Sequence, residues 1–300
     1  MSGRLAGVAV VFRRELATIR RTPGYAVLAA GLLVVLGGLV AVGGGGRTGF
    51  VPTVVDLLLP AELLVPLLGA ALGYRALLTD VESGEFAVVR TYPVSALGYA
   101  LGVLLARAAA LLAVVGVPFA LVGAYVWLTA APDTGIFATH SGVDSPALYV
   151  RFLALVLLFG TAYLSLSAAV SALASSRRSA AAIALLALFV GVFGGDLAVI
   201  RSLSGGGSAA RIAGSVALTP NGAFRGLVFE HVIGVAFEPD GGFVESGRAV
   251  GSLVRWTGAG RSRICRCSVW SVTASIIFAV SNGGVRSLAW NRTPIRSSAS

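Results

Sequence analysis

Two carboxylates, Asp56 and Glu62, are the residues with the clearest capacity for chemistry, because both fall within a long apolar stretch. An ionisable side chain is costly inside a bilayer, so such residues often mark substrate paths. Both acids occupy the first half of the apolar stretch at about 54–73, where they could instead reach the membrane interface. The sequence leaves two interpretations open, a polar translocation path and an interfacial position.

Histidine and cysteine chemistry is less well supported by residue spacing. His140 lies between two acids, Glu230 directly precedes His231, and the two cysteines are separated by one residue. None of these groups has the ligand spacing of a zinc site or the paired partners of a catalytic site. An intramembrane enzyme such as a protease, using Glu62, Glu230, His231 or His140, is the alternative function.

The elements that must position these residues are transmembrane helices. Apolar residues make up 56% of the 300-residue chain, and its mean hydropathy is +0.88. Several segments reach the roughly 20 residues needed to cross a bilayer core. The pattern predicts an all-α, polytopic membrane protein with about six transmembrane helices in a domain over 23–254. The predicted spans are about 24–43, 54–73, 97–129, 148–173, 180–200 and 249–272.

An amphipathic helix over 1–22 precedes the first span. Its apolar residues recur at a spacing of three or four, and arginines fill the other face. This pattern predicts a helix in the membrane interface, with its arginines towards anionic headgroups. Packing of the same helix against protein is the alternative.

A charged segment, Arg75 to Arg107, interrupts the apolar spans and carries three acids within six residues. Its acidic and apolar faces suit a short helix that docks into a groove of another protein. The block from Asp80 to Gly102 resembles the cytosolic loop between the second and third spans of ABC transporter type-2 permeases. That loop reads roughly acidic-x-Glu-Ser-Gly, a few apolar residues, Leu-Pro-Val-Ser and then Gly. The match has no gap.

Two positions in the segment depart from the family pattern. Glu85 stands where the family often has Thr or Ser, and Val103 stands where Lys or Arg often follows the Gly. Arg107, one helical turn later, could supply the missing positive charge.

The resemblance implies a permease subunit of an exporter-type ABC transporter, whose loop at about 74–96 couples it to a separate ATPase subunit. A second copy of the chain or a sister permease would complete the transporter. ATP would bind the partner, and the chain itself would need no cofactor and perform no catalysis. Its lack of lysine independently excludes a phosphate-binding P-loop. A membrane scaffold or maturation factor is a further alternative. The residues implied in coupling are Asp80, Glu82, Ser83, Gly84, Glu85, Phe86 and Pro93.

Arginine placement predicts the orientation in the cell membrane. The short loops at 74–96 and 174–180 carry arginines, whereas 130–147 has none, which favours a cytoplasmic N-terminus. The segments 130–147 and 201–248 are then external loops. Within the second, residues 219–225 resemble the Ser/Asn-Pro-x-x-Ala-Phe/Tyr-Arg region that precedes the last span in the type-2 permeases.

The end of the chain differs in composition from the rest. The net charge of +10 is concentrated in the last fifty residues, and no basic patch alternates with stacking aromatics, so nucleic acid is not a predicted partner. Four arginines fall within 255–266, although one central arginine costs a span about 2.5–3.5 kcal/mol. A frameshift near Trp256 that altered residues 255–300 is the favoured interpretation, and a divergent native tail is the alternative.

Overall fold

The computed structural model describes residues 2–44, 46–74, 76, 96–130, 144–174, 176–204 and 219–234, and their regular elements are helices. Five of these helices are long and apolar enough to cross a membrane, which confirms the expectation of a helical membrane protein. The predicted sixth span and the tail at 255–300 lie outside the described residues. The helices are α1 (Ser2–Arg21), α2 (Pro23–Val42), α3 (Phe50–Gly73), α4 (Ala96–Leu111), α5 (Val117–Thr129), α6 (Pro146–Leu173), α7 (Arg177–Ser204) and α8 (Pro220–Val228).

The predicted spans match α2, α3, α4–α5, α6 and α7 to within four residues at each end. A π-helical turn, Leu112–Gly116, joins α4 to α5 without breaking the helix. The continuous helix from 96 to 129 is therefore longer than one straight crossing requires, as the sequence predicted.

Close contact between α3 and α6 forms the centre of the bundle. A Cβ built on Gly69 would lie 2.8 Å from the carbonyl oxygen of Gly160, and one on Gly73 would lie 2.6 Å from that of Leu164. Glycine at these positions lets the two backbones approach more closely than any side chain would allow. The largest apolar core surrounds this contact and includes Leu57, Val65 and Phe159.

The start of α3 is held by a side chain from a distant part of the chain. The carboxylate of Asp144 accepts hydrogen bonds from the backbone N–H groups of Phe50, at 2.8 Å, and Val51, at 2.9 Å. A carboxylate there satisfies donors without helical partners and faces the positive end of the helix dipole. Asp144 was expected in a solvated external loop, and the contact gives it a structural role. This end of the bundle, with the turn at 43–49, is called the turn end.

Helix α1 packs along α4 at the opposite end of the bundle, called the α1 end. Its buried residues Val11, Glu15 and Ile19 recur every four positions and so share one face. A Cβ on Gly102 of α4 would lie 2.7 Å from the Cβ of Val11, so this glycine permits the contact. The described residues thus favour packing against protein, which the sequence left as the alternative, while the interfacial position stays a prediction.

Helix α8 occupies part of the segment 201–248 that was expected as an external loop. A π-helical turn, Phe229–Ile233, extends it. Its first residue, Pro220, lies near Tyr163 in the middle of α6, and Arg151 in the second turn of α6 contacts the carbonyl of His231. Helix α8 therefore runs antiparallel to α6, from mid-bundle to the turn end, and is too short to cross a bilayer.

Candidate functional site

Glu62 and Arg225 form a bidentate ion pair inside the helical bundle. Glu62 Oε1 accepts from Arg225 Nε at 2.7 Å, and Oε2 accepts from Nη2 at 2.5 Å. The Glu62 side chain is only 6% exposed and lies near the middle of α3. Parallel hydrogen bonds between a guanidinium and a carboxylate give the strongest and most directional form of ion pair.

Asp196 extends this pair to a third helix. Its Oδ1 lies 3.3 Å from Arg225 Nη1, so one guanidinium joins α3, α7 and α8. Exposure rises across the cluster, from the buried Glu62 to 36% for the Arg225 side chain and 50% for Asp196. The charge cluster, defined as Glu62, Arg225 and Asp196, therefore opens to the surface through Asp196.

The sequence at the start of α8 positions the Arg225 side chain next to Glu62 and Asp196. Thr219 caps the helix by accepting from the N–H of Gly222 at 3.2 Å, and Pro220 suits the first helical position. The Asn221 amide donates to the carbonyl of Val192 on α7 at 3.4 Å. Because Arg225 follows Asn221 by four residues, both lie on the face of α8 that meets α7.

Unpartnered polar atoms lie beside this helix start. Asn221 Oδ1 and the Tyr163 hydroxyl are both buried, and neither has a hydrogen-bond partner among the described residues. Tyr163 lies against Gly191, one residue from the carbonyl that Asn221 contacts. Buried polar groups in native proteins are normally satisfied by protein or ordered water. The region between α6, α7 and α8 is therefore a polar centre in an otherwise apolar bundle.

The geometry limits what Glu62 can do chemically. A carboxylate whose two oxygens both contact a guanidinium is poorly placed to bind a metal or to accept a proton as a general base. Breaking such a pair leaves a buried charge without compensation, so the pair holds the three helices in one arrangement. Asp196 contacts the third nitrogen of the same guanidinium, so both carboxylates are paired at once. The cluster is suited to linking α3, α7 and α8.

Asp56, the other residue predicted for a path, does not join this cluster. It is exposed on α3 at the turn end, and its Oδ2 would lie 2.5 Å from a Cβ built on Gly43. Six residues separate Asp56 from Glu62, which turns their side chains towards different faces of α3. A path involving both residues stays a prediction.

A second polar contact ties α1 to the bundle. Arg107 on α4 forms an ion pair of 3.5 Å with the buried Glu15 of α1 and donates to the hydroxyl of Tyr25 on α2. The sequence had offered Arg107 as a substitute for the charge missing at position 103. Val103 itself is fully buried. The Arg107 side chain connects three helices at the α1 end.

The residues implied in coupling, Asp80, Glu82, Ser83, Gly84, Glu85, Phe86 and Pro93, lie outside the described part of the chain. Described residues on either side of this part of the chain lie together. Ala76 and Tyr99 belong to one buried cluster with Val11, Val103 and Ala168. Ala76 and the start of α4 therefore both lie at the α1 end, beside α1 itself.

Comparisons with protein families and with curated proteins identify no relative of the chain. No protein-family model matches the chain, and no curated protein matches it. Among the residues the structure describes, no group of three His, Cys, Asp or Glu side chains is placed to hold a metal ion. The candidate site therefore rests on the geometry of its own residues.

Sequence reasoning named Glu62 but not its partners. Asp196 carried no predicted role. Arg225 closes the 219–225 segment whose resemblance to the type-2 permeases was noted, and that resemblance was the one signal pointing to it. The pairing joins residues 163 positions apart, and no local pattern encodes such a separation.

Proposed function

We propose that the chain is the membrane-spanning permease subunit of an ABC transporter of the type-2 class, acting as an exporter with a separate ATPase subunit. The observation that carries the proposal is the ungapped resemblance of residues 80–102 to the coupling loop of that class. Five apolar helices long enough to span a membrane support it. The absence of lysine, and hence of a P-loop, requires ATP to bind elsewhere.

The surroundings of the loop support a coupling role. Its flanks, Ala76 and Tyr99, pack against Val11 of α1 in one buried cluster. A force applied to the loop by an ATPase would therefore reach α1, α3 and α4 together. The Arg107–Glu15 pair extends the same connection along α4. Packed helices of this kind move as rigid bodies between two arrangements.

The charge cluster is the part of the bundle that such a movement would alter. Glu62 and Asp196 belong to α3 and α7, and Arg225 of α8 bridges them. Relative displacement of α3 and α7 would favour one carboxylate over the other as the partner of Arg225. In this proposal the two states of the permease differ in which carboxylate is the main partner of Arg225. Asp56 and Glu62, the residues predicted from the sequence, border the substrate path. Two copies of the chain, or one copy and a sister permease, form the complete membrane part.

A pull-down from membranes in mild detergent tests the proposal. The tagged wild-type chain should retain an ATP-hydrolysing subunit, and Glu82→Arg combined with Glu85→Arg should lose it, because both acids are predicted to contact that subunit. The matched control is Asp133→Arg combined with Asp240→Arg, which makes the same charge change in predicted external loops. Absence of an ATPase from the wild-type sample, or equal loss in the control, would refute the assignment.

A further inference from the structure

A groove between α6 and α8 is distinct from the charge cluster. Its floor is aromatic, with Phe159 and Phe224 stacked at 4.4 Å between ring centroids. Leucine, alanine and proline side chains and the ring of Tyr163 form its two walls, so its lining is almost entirely apolar. The wall residues are Leu155, Leu158, Ala162, Tyr163 and Leu166 on α6 and Pro220, Ala223 and Leu227 on α8.

The groove opens towards the outside of the bundle. Leu158 is 43% exposed, and its neighbours along the same face of α6 are partly exposed. The wall residues Leu155 and Leu166 are eleven positions apart, which corresponds to about 16 Å along a helix. This length is close to the thickness of the hydrocarbon part of one leaflet, which is about half of the roughly 30 Å hydrocarbon core.

A cationic side chain, that of Arg151, lies at the end of the groove nearest the turn end, which is called the groove head. Arg151 lies one helical turn above Leu155 on the same face of α6, and it is exposed near the turn end. Its hydrogen bond to α8 is long, 3.4 Å from Nη1 to the carbonyl oxygen of His231. The exposed His231 therefore stands on the opposite side of the groove head. An arginine at this depth can reach the headgroup layer while its stem lies along apolar surface.

We propose that this groove binds one glycerophospholipid with an anionic headgroup. The phosphate would contact Arg151, and one acyl chain would lie along the groove over Phe159 and Phe224. The charge at the head, the apolar lining and the leaflet-length depth correspond to the three parts of such a lipid. A guanidinium binds a phosphate through paired N–H donors, which favours it over a neutral headgroup.

Native mass spectrometry of the full chain in detergent, titrated with dioleoyl lipids, tests the proposed contact between Arg151 and the headgroup. The wild type should bind phosphatidylglycerol more tightly than phosphatidylcholine. Arg151→Gln should weaken phosphatidylglycerol binding about tenfold, the factor typical of one charge-assisted hydrogen bond, and remove the preference between headgroups. The control, Arg201→Gln, removes an exposed arginine of α7 near the same end and should bind as the wild type does.

A second pair of variants tests the acyl-chain part. Ala162→Phe and Ala223→Phe fill the groove from opposite walls and should weaken binding of both lipids, whereas Val34→Phe on the exposed face of α2 should not. Equal affinity of the wild type for the two headgroups, or equal loss with Arg201→Gln, would overturn the headgroup assignment. If neither groove-filling variant changes lipid binding, protein covers the groove instead, either another part of this chain or a second copy.

Discussion

Replacing Arg225 with glutamine is predicted to destabilise the chain more than replacing its partner, Glu62. Without Arg225, the carboxylate of Glu62 stays buried, with 6% of its side chain exposed, and has lost both of its guanidinium contacts. Removing one member of a buried pair costs about 3–5 kcal/mol. Because the Arg225 side chain is 36% exposed, we expect the lower end, about 3 kcal/mol, for Arg225→Gln.

Glu62→Gln should destabilise the chain less than Arg225→Gln does. Arg225 then keeps Asp196 at 3.3 Å and retains access to the surface, so we expect a loss of about 1 kcal/mol, near the net value of one hydrogen bond. In the double variant, both charges are replaced by amides that can bond to each other. It should therefore be more stable than Arg225→Gln alone by at least about 1 kcal/mol.

Unfolding in mixed micelles, titrated with a denaturing detergent and followed by circular dichroism, measures these differences. A loss of 3 kcal/mol changes the folding equilibrium by roughly 150-fold, which is well within the range of such titrations. The control is Arg201→Gln, an exposed arginine on α7 that should shift the free energy of unfolding by less than about 0.5 kcal/mol. The reasoning is refuted if Arg225→Gln and Arg201→Gln unfold alike, or if the double variant loses the sum of the single losses.

Three further predictions concern the helix contacts. Asp144→Ala should lower the free energy of unfolding by about 1 kcal/mol, because the first turn of α3 loses its cap, and Asp144→Asn should recover most of it in the same titration. An Ala variant as stable as the wild type would contradict the capping role. Gly73→Leu should cost more than about 2 kcal/mol, because its Cβ would meet a backbone carbonyl of α6 at 2.6 Å, whereas Gly37→Leu, with no atom within 4 Å, should be neutral. Equal losses would contradict the close α3–α6 contact. Glu15→Gln should accelerate hydrogen–deuterium exchange in α1 by breaking its ion pair with α4, and Arg13→Gln on the exposed face of α1 is the control. Identical exchange in the two variants would show that the pair does not hold α1.

The long helices could be predicted from the sequence because their signal is local. A predominantly apolar stretch of about 20 residues is sufficient to indicate a span, and the five matched spans each contain one. Helix α8 lacks this signal. It is short, contains two glycines and follows a Gly-rich stretch, so residues 201–248 read as a loop. Its helical form depends on contacts with α6 and α7, which no window of sequence contains.

The candidate site shows the same contrast between a local signal, which the sequence contains, and a contact between distant helices, which it does not. Glu62 stood out because an acid in an apolar run is unusual. Its binding to Arg225, and the binding of Asp144 to the start of α3, join residues 163 and 94 positions apart. Such pairings follow from how whole helices pack, and packing is set by small residues such as Gly69 and Gly73 that are abundant throughout the chain. The sequence therefore singled out Glu62 but not its contact with Arg225, and it gave Asp144 no role in holding α3.

The separation between Glu62 and Arg225 has a consequence for biosynthesis. At roughly 5–20 residues per second, a ribosome needs roughly 8–30 seconds to add the 163 residues that follow Glu62 before Arg225 exists. During that interval α3 must enter the membrane with an acid and no counter-ion. An uncompensated acid at the centre of a span costs about 2.5–3.5 kcal/mol, which the leucines and valines of α3 have to outweigh. The arrangement of α3, α7 and α8 therefore cannot form until α8 has been synthesised, although α8 itself is too short to span the membrane.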